Sequence, residues 1–348
     1  MASGKDRRTS TKQKQLLRVV AIGGGTGLST MLKGLKRYCP LPAEPVDPSA
    51  RIGNLSAIVT VTDDGGSSGR LRKELNMLPP GDIRNCIVAL SEDEALLSKL
   101  FRHRFEKGEL EGHSFGNLFL AALTSMTNDF AEAVRLSSEV LATRGHIYPA
   151  TTSNVDLEAV MEDGSRVRGE TKITASKVRI QELFLVPPDA KPLHQTLEAI
   201  AQADLITIGP GSLFTSLIPN LLVRGIPQAI AKSPALTVYI CNLMTQANES
   251  LGRTAADHIR ALNGHAGTQI FDYALINEKM PSAAMRAQYA LEGATQVVAD
   301  CEAIREMGIQ PILGDYLVEG DVARHDTDKI ARDLLKLVTE GHPAKLPS

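Results

Sequence analysis

Short apolar runs that end abruptly in glycine or polar residues recur along this 348-residue chain. The first is LLRVVAI at residues 16–22, and the glycine-rich segment GGGTG follows it without transition. Runs of this length that are rich in valine and isoleucine are typical of buried parallel strands. Similar runs at residues 55–61, 205–208 and 236–241 each lead into a loop and then into a helical pattern. The alternation predicts a Rossmann-like α/β fold, a three-layer sandwich with a mostly parallel sheet.

The pattern changes between residues 146 and 190, where apolar and polar positions alternate along the chain. The segments VDLEAVM and SRVRGETKI flank Asp163-Gly164, a dipeptide that favours a hairpin turn, and VRIQELFLV follows them. We predict a small antiparallel β insertion at residues 146–190, inside a single α/β domain that spans residues 16–340. Residues 1–15 are basic and polar without an apolar signal sequence, and they are predicted to form a disordered tail.

The first loop has the composition of an anion-binding turn. Glycines lack a Cβ atom, so backbone N–H groups between a strand and a helix can approach an anion closely. The spacing does not fit the dinucleotide fingerprint, because Leu28 stands where its third glycine would be, and it lacks the lysine of a Walker A sequence. The loop therefore binds a phosphorylated ligand of another kind, or it is only a tight turn. Its candidate binding residues are Gly24, Gly25, Thr26 and Gly27.

The second strand ends in TDDGGSSGR at residues 62–70, which is the sharper functional signal. Doubly wound folds bind their ligands at the carboxyl ends of strands, where Asp63 and Asp64 are placed. These two carboxylates suit a Mg²⁺ bridge, a proton acceptor or a contact to sugar hydroxyls, and they are the catalytic candidates if the protein is an enzyme. Ser67 and Ser68 add hydroxyl groups to the same loop. The alternative is an Asx-turn, which Asp-Gly pairs often form.

Two predicted helix starts carry further polar groups. Asp82 is the predicted N-cap of a helix that begins at residue 83, and Ser114 is the predicted N-cap of a second, apolar helix. An arginine in the first turn opposes the helix dipole, so it indicates an anionic partner nearby or is simply a surface residue. The candidate site residues at these two helix starts are Arg84, Asn85, His113 and Asn117.

A third loop of the glycine-rich type follows the strand at residues 205–208. Its sequence GPGS opens a helical pattern with Ser212 as the predicted N-cap, and it would form another anion site. The strand at residues 236–241 then runs into NLMTQ, whose amide and hydroxyl groups suit hydrogen bonding to a base or a sugar. We expect these loops to converge on one edge of the sheet, as a nucleotide diphosphate would require. The residues concerned are Gly209, Gly211, Ser212, Asn242, Thr245 and Gln246.

Composition narrows the classes of function. A net charge of -2 argues against a nucleic-acid partner, and no apolar run is long enough to span a membrane. The four cysteines are far apart and the eight histidines lack zinc-binding spacing, which fits a cytoplasmic protein with reduced thiols.

Six motifs in order, GGGTG, TDDGGSSGR, PPGDIRN, HSFGN, GPGSLFTS and NLMTQ, resemble the YvcK/CofD-like family, and within it the YvcK branch of gluconeogenesis factors. The resemblance runs from Leu17 to Leu337, and it implies a cytoplasmic protein that forms homo-oligomers. It implies that residues 24–27 and 209–212 hold a diphosphate and that Asp63 and Asp64 lie near a sugar or an acceptor. It further places Tyr289 and Arg324 at the positions of uridine contacts.

The two branches of the family imply two functions. The YvcK branch is described as binding UDP-sugars, notably UDP-N-acetylglucosamine, and as acting in cell shape and cell-wall precursor supply during gluconeogenic growth, with protein partners in cell-wall synthesis. The CofD branch transfers a phospholactyl-type group from a nucleotide diphosphate to an alcohol with Mg²⁺, a cofactor that Asp63 and Asp64 could hold. Aromatic residues make up only 4% of the chain, which disfavours a flavin-like acceptor. We therefore expect a nucleotide-sugar-binding regulator, with the transferase as the alternative.

Overall fold

The structure is a computed structural model that describes residues 16–40, 49–91 and 96–340. The predicted tail at residues 1–15 lies outside the described residues, as does most of a proline-rich segment at residues 40–51. The strands are β1 (Leu17–Gly23), β2 (Ile52–Val59), β3 (His146–Pro149), β4 (Asp156–Met161), β5 (Arg166–Arg168), β6 (Ile180–Val186), β7 (Leu205–Ile208), β8 (Leu236–Ile240), β9 (Tyr273–Asn277), β10 (Gln310–Gly314), β11 (Leu317–Glu319) and β12 (Ala323–His325).

The helices surround these strands. They are α1 (Gly25–Lys36), α2 (Gly66–Leu75), α3 (Gly81–Leu90), α4 (Leu96–Arg102), α5 (Phe115–Thr127), α6 (Phe130–Val140), α7 (Glu170–Ala175), α8 (His194–Gln202), α9 (Ile218–Leu222), α10 (Ile226–Lys232), α11 (Ala255–Ala266), α12 (Ala283–Ala290), α13 (Cys301–Glu306) and α14 (Thr327–Thr339). One π-helical turn, Leu213–Leu217, leads directly into α9. None of the helices in the described part of the chain is both long and apolar enough to cross a membrane.

In the described part of the chain, the central sheet has seven parallel strands in the order β10-β9-β8-β7-β1-β2-β3. The chain builds the sheet outward from β1 through β2 to β3, then returns to the other side of β1 and continues from β7 to β10. Strands β1 and β7 are adjacent although a long stretch of chain separates them, with Ala21 opposite Thr207. The direction of winding therefore reverses between β1 and β7, and doubly wound folds bind their ligands at the carboxyl ends of the strands beside such a reversal.

Burial explains why the apolar runs predict this sheet. An all-parallel sheet is covered by helices on both faces, so its inner strands carry almost no polar side chains. All four residues of β7 are buried, and so are the last five residues of β1. On one face α1 packs against α3 and α14, with Gly34 so close to Thr327 that a Cβ atom would lie 2.6 Å from its carbonyl oxygen. The predicted Rossmann-like, mostly parallel α/β fold is confirmed.

The small antiparallel sheet has the order β5-β4-β6, with the predicted turn at Asp163-Gly164. The Ser165 N–H and hydroxyl both donate to the Asp163 carboxylate, which stabilises that turn. The boundary of the insertion differs from the prediction, because residues 146–149 form β3 and pair in parallel with β2. The helix α7 was not predicted from the sequence. It lies between β5 and β6 of the insertion and extends toward the edge of the main sheet.

Candidate functional site

A cavity of about 560 Å³ lies at the carboxyl edge of the main sheet, in the crevice between β1 and β7. The loop after β1, the loop after β7, the segment after β8 and the β11–β12 hairpin all contribute to its wall. Nine predicted site residues line it: Gly24, Gly25, Thr26, Gly27, Gly211, Ser212, Asn242, Thr245 and Gln246. Tyr289 and Arg324, which only the family resemblance indicated, line it as well.

The first loop presents the amino-terminal end of α1 to this cavity. Gly25 adopts a left-handed φ of +61°, a conformation that glycine reaches without strain. A Cβ atom at Gly27 would overlap the carbonyl group of Pro210 in the third loop, so only glycine lets the two loops touch. The first N–H groups of a helix have no intrahelical acceptor and carry a partial positive charge. The amino terminus of α1 is therefore a suitable place for a phosphate group.

The third loop is held in place by its neighbour. Gly209 has a φ of +88°, and a Cβ atom there would lie 2.7 Å from the carbonyl oxygen of Ile240. The Gly211 N–H donates to the Asn242 side-chain oxygen at 3.2 Å, and the Asn242 amide donates back to the Gly211 carbonyl at 2.8 Å. Asn242 lines the cavity but uses both ends of its amide to join the β7 and β8 loops.

The helix start after the third loop already holds an anion of the protein. Glu249 is only 7% exposed, and its Oε1 accepts from the N–H groups of Phe214 and Thr215 at 3.0 and 2.9 Å. Burial raises the pKa of this carboxyl, while the two N–H groups oppose the shift. Ser212 occupies the N-cap position as predicted, but its side chain makes no capping bond, and its Oγ accepts instead from Gln246 at 3.1 Å.

The far wall of the cavity is the β11–β12 hairpin with α12. The Ala323 N–H donates to the Tyr289 hydroxyl at 3.2 Å, and Gln288 donates to the Asp321 carbonyl at 3.0 Å. Beneath them Leu243, Met244 and Leu317 form an apolar cluster separate from the main core. Arg324 is exposed on this wall, and its side chain makes no hydrogen bond or ion pair with the described residues. Its charge faces a cavity whose opposite side is the amino end of α1.

The second loop lies beside this cavity rather than in its wall. The Gly65 N–H donates to Asp63 Oδ1 at 2.9 Å, which is the Asx-turn that was the alternative interpretation of this motif. Asp64 accepts from the N–H and the hydroxyl of Thr171, at 2.8 and 2.5 Å, and so fastens α7 of the insertion to the main domain. Both carboxylates therefore have structural partners, and the loop continues into α2 instead of remaining open.

A half-buried carboxylate, which the sequence analysis assigned to a helix cap, lies between the first and second loops. Asp82 was predicted to cap α3, but it lies inside the helix and makes no cap. Its Oδ2 would be 2.8 Å from a Cβ atom at Gly24, which places it directly behind the first loop. Burial raises the pKa of Asp82 to about 6, against the opposing hydrogen bond from the Gly25 backbone. Glu170, at the start of α7, has its pKa raised to about 9 by burial and then by the charges of Asp63 and Asp82.

The remaining predicted residues form a polar cluster at the starts of α2, α3 and α5. Ser67 Oγ lies 2.9 Å from His113 Nδ1 and accepts from the Asn117 amide at 3.1 Å. Arg84 bonds to Asn85 at 2.7 Å, and its Nε is buried without a partner among the described residues. Burial, followed by the nearby Arg104, lowers the pKa of the Arg84 guanidinium. Ser114 caps α5 as predicted by accepting from the Asn117 N–H at 3.2 Å.

Two predicted residues, Ser68 and Gly209, do not line the cavity. Ser68 is buried, and a Cβ atom at Gly81 would lie 2.4 Å from its hydroxyl oxygen. Gly209 shapes the third loop from behind the cavity wall. Sequence reasoning missed Glu249, Glu170 and His325, and it mistook the role of Asp82. Only the position of Asp82 next to a Pro-Pro-Gly turn gave a local signal, and that signal fits an N-cap equally well.

A magnesium site at Asp63 and Asp64 finds limited support in this geometry. Within the described residues, no group of three or more histidine, cysteine, aspartate or glutamate side chains is arranged to hold a metal ion. One oxygen of each aspartate already accepts backbone N–H groups. A Mg²⁺ ion here would need most of its oxygen ligands from a bound phosphate and from water, which is its usual arrangement in nucleotide sites.

The chain is similar to known proteins over almost its whole length. The family described as 2-phospho-L-lactate transferase CofD matches residues 19–317. A gluconeogenesis factor from Halalkalibacterium halodurans is 49% identical over 328 residues, which cover 93% of this chain and 96% of the relative. A gluconeogenesis factor from Bacillus subtilis is 48% identical over 326 residues, which cover 93% and 98%. The crystal structure of a UPF0052 family member from Bacillus halodurans matches with a TM-score of 0.85 and 48% identity, over 92% of this chain and 99% of that one.

Proposed function

This chain belongs to the CofD-like family, in which relatives of 49% and 48% identity are named gluconeogenesis factors, and we propose that it binds a nucleotide sugar of the UDP-N-acetylglucosamine type. The observation that carries the proposal is the cavity at the switch point between β1 and β7. Its volume of about 560 Å³ lies within the range typical of small-molecule sites. One end offers the amino terminus of α1 to a diphosphate, and the other offers Tyr289 and Arg324 to a nucleoside.

The proposed cellular role follows from the ligand, because the concentration of such a nucleotide sugar reflects the supply of cell-wall precursor. We infer a cytoplasmic regulator that senses the supply of cell-wall precursor, and that supports cell shape during growth on gluconeogenic carbon. The signal would pass through a homo-oligomer to protein partners in cell-wall synthesis. The name shared by the relatives supports the link to gluconeogenesis. The choice of a UDP-sugar follows from the resemblance to the YvcK branch, and the cavity is of a size that suits such a ligand.

Isothermal titration with UDP-N-acetylglucosamine, UDP-glucose and GDP, with and without Mg²⁺, tests the proposal. We expect saturable binding of the UDP-sugars, recovered intact by chromatography afterwards. Arg324→Ala should weaken that binding about tenfold or more, the cost of a lost charge-assisted hydrogen bond. Arg286→Ala is the matched control, since Arg286 is exposed on the neighbouring α12 and does not line the cavity. Preference for GDP, or equal losses in both variants, would contradict the proposal.

The acidic groups beside the cavity favour a second candidate, a transferase. Perturbed carboxyl pKa values cluster at catalytic sites, and burial raises those of Asp82 and Glu170 next to Asp63. In this reaction an alcohol oxygen would attack a phosphorus atom of the donor while its proton passes to the Asp63 carboxylate. The new P–O bond would replace the anhydride P–O bond, and a nucleoside phosphate would leave. Consumption of the donor only when an alcohol is present, lost in Asp63→Asn, would establish this activity.

A further inference from the structure

His325 lines the nucleotide cavity beside Tyr289 and Arg324, yet neither the motifs nor the proposed function gives it a role. It is the last residue of β12 and pairs with Leu317 across the hairpin. Its ring lies over the end of β8, with Nε2 at 2.9 Å from the carbonyl oxygen of Cys241. This contact decides how the ring can interact with a ligand.

The hydrogen bond to Cys241 fixes the tautomer of His325. A carbonyl oxygen can only accept, so the shared proton must reside on Nε2. Burial lowers the pKa of His325 to about 4, so the ring is neutral at physiological pH and carries that one proton only. Nδ1 is therefore an acceptor, and within the described ranges the hydrogen bond of the ring is made by Nε2 and not by Nδ1.

Most other polar groups of the cavity wall are occupied by the protein itself. The Asn242 amide is shared with Gly211, as described above, and the Thr245 hydroxyl bonds to both backbone groups of Thr295. Gln246 donates to Ser212, and its Oε1 is buried without a partner among the described residues. The donors among the groups expected from the sequence to bind a base are thus largely engaged, and a ligand at this end also meets the side chains of the far wall.

These side chains form a pattern of donors and acceptors. The Tyr289 oxygen already accepts from the Ala323 N–H, so its hydroxyl hydrogen remains available to donate. Arg324 can only donate, and His325 Nδ1 can only accept. Two donors and one acceptor complement the imide edge of uracil, where an N–H group stands between two carbonyl oxygens. Cytosine carries an unprotonated nitrogen at the imide position and would face His325 with a second acceptor.

We propose that His325 is the residue that selects uracil, because its Nδ1 accepts a hydrogen bond from the imide N–H of the base. The proposal rests on the proposed binding of a uridine nucleotide and adds the group that discriminates against other pyrimidines. An unpaired acceptor buried against a ligand costs enough free energy to give about tenfold selectivity or more. A residue that only anchored the hairpin to β8 would have no such effect on the choice of base.

Titration of the full-length protein with UDP, N3-methyl-UDP and CDP measures this selectivity. We expect UDP to bind at least about tenfold more tightly than either of the others. N3-methyl-UDP removes the N–H with added bulk, and CDP removes it without bulk, so a loss for both identifies the hydrogen bond. Equal affinity for UDP and CDP would overturn the assignment of His325 while leaving uridine binding intact. A protein that binds none of the three would overturn the proposed function itself.

Two variants separate selection from anchoring. His325→Gln can still donate to the Cys241 carbonyl but lacks an acceptor at the Nδ1 position, so it should bind UDP and CDP within about threefold of each other. His325→Asn places an oxygen at the Nδ1 position and loses the contact to Cys241, so it should keep most of the preference for UDP. The opposite result, selectivity kept in His325→Gln and lost in His325→Asn, would show that the histidine only anchors the hairpin. Thermal unfolding of both variants verifies that they fold.

Discussion

The first and third loops have similar sequences, both glycine-rich and both between a parallel strand and a helix, but they differ in what occupies the helix start. At α1, the Gly25 backbone bonds to Asp82 behind the loop, and the helix end forms part of the cavity wall. After the third loop, Glu249 accepts from the first N–H groups of the π-helical turn. Only the first loop therefore offers a helix terminus to a ligand.

This difference shows that a glycine-rich turn predicts where a helix begins. It does not predict whether the N–H groups at that helix terminus are free to bind a ligand. The N–H groups of a helix start attract any carboxylate that the fold can bring to them. Glu249 is 34 residues beyond Thr215 in the chain, in a loop after β8, so no local sequence pattern predicts its contact with the helix start. The third loop then contributes mainly by contact, since Pro210 and Gly211 form the surface against which Gly27 packs.

The largest effect should come from breaking the contact between the two loops. Gly27→Ala introduces a Cβ atom that overlaps the Pro210 carbonyl group, so we expect a loss of about 3 kcal/mol in the free energy of unfolding. Binding of UDP-N-acetylglucosamine should fall below detection by titration. Gly264→Ala in α11 is the control, because nothing lies within 4 Å of its Cβ position and helix propensity should make it neutral or slightly stabilising. Normal binding by Gly27→Ala would show that the loops are not mutually constrained.

The next largest effect should come from removing the carboxylate that occupies the helix start after the third loop. Glu249→Ala leaves two buried N–H groups without an acceptor, which should cost about 2 to 4 kcal/mol in the free energy of unfolding. Glu249→Gln keeps an oxygen in place and should cost less. Added sulfate should raise the melting temperature of Glu249→Ala more than that of the wild type, since the vacated helix start would then bind anions. Equal responses to sulfate would mean that Glu249 does not occupy an anion site.

A smaller effect concerns the carboxylate behind the first loop. Asp82 has its pKa raised to about 6, so it loses its negative charge as the pH falls from 7 to 5. Because that charge repels a diphosphate at α1, affinity for UDP-N-acetylglucosamine should rise on acidification, on the order of fivefold. Asp82→Asn should bind more tightly at pH 7 and show a flat profile. An unchanged pH dependence in this variant would exclude Asp82 as the titrating group.

The smallest effect should be that of Ser212→Ala. Since Ser212 does not cap the helix, we expect a loss of about 0.5 kcal/mol from its bond to Gln246. Ser114→Ala removes a buried cap that does accept a backbone N–H, and should cost about 1 to 2 kcal/mol. Chemical denaturation of both variants compares them directly. A larger loss for Ser212→Ala would mean that the serine, rather than Glu249, stabilises the third helix start.

The sequence by itself determined the class of fold and the edge of the sheet that holds the cavity. Buried parallel strands need continuous apolar runs, and these are visible along the chain because each one is local. The glycines of the first loop were predictable for the same reason, since a sharp turn at Gly25 requires a left-handed conformation. The caps at Ser114 and the turn at Asp163-Gly164 are likewise set by a few adjacent residues.

Tertiary structure decided which of the polar residues share a site. The sequence after the third loop predicted a helix but not its π form, and α7 carries no local pattern. The sheet order that separates Asp63 and Asp64 from the cavity depends on long-range pairing. The roles of Glu249, Asp82 and His325 depend on partners distant in sequence, whether the start of the π-helical turn, the first loop or the carbonyl oxygen of Cys241. A hydrogen bond or a pKa shift is a property of two groups brought together, so it appears only once the chain is folded.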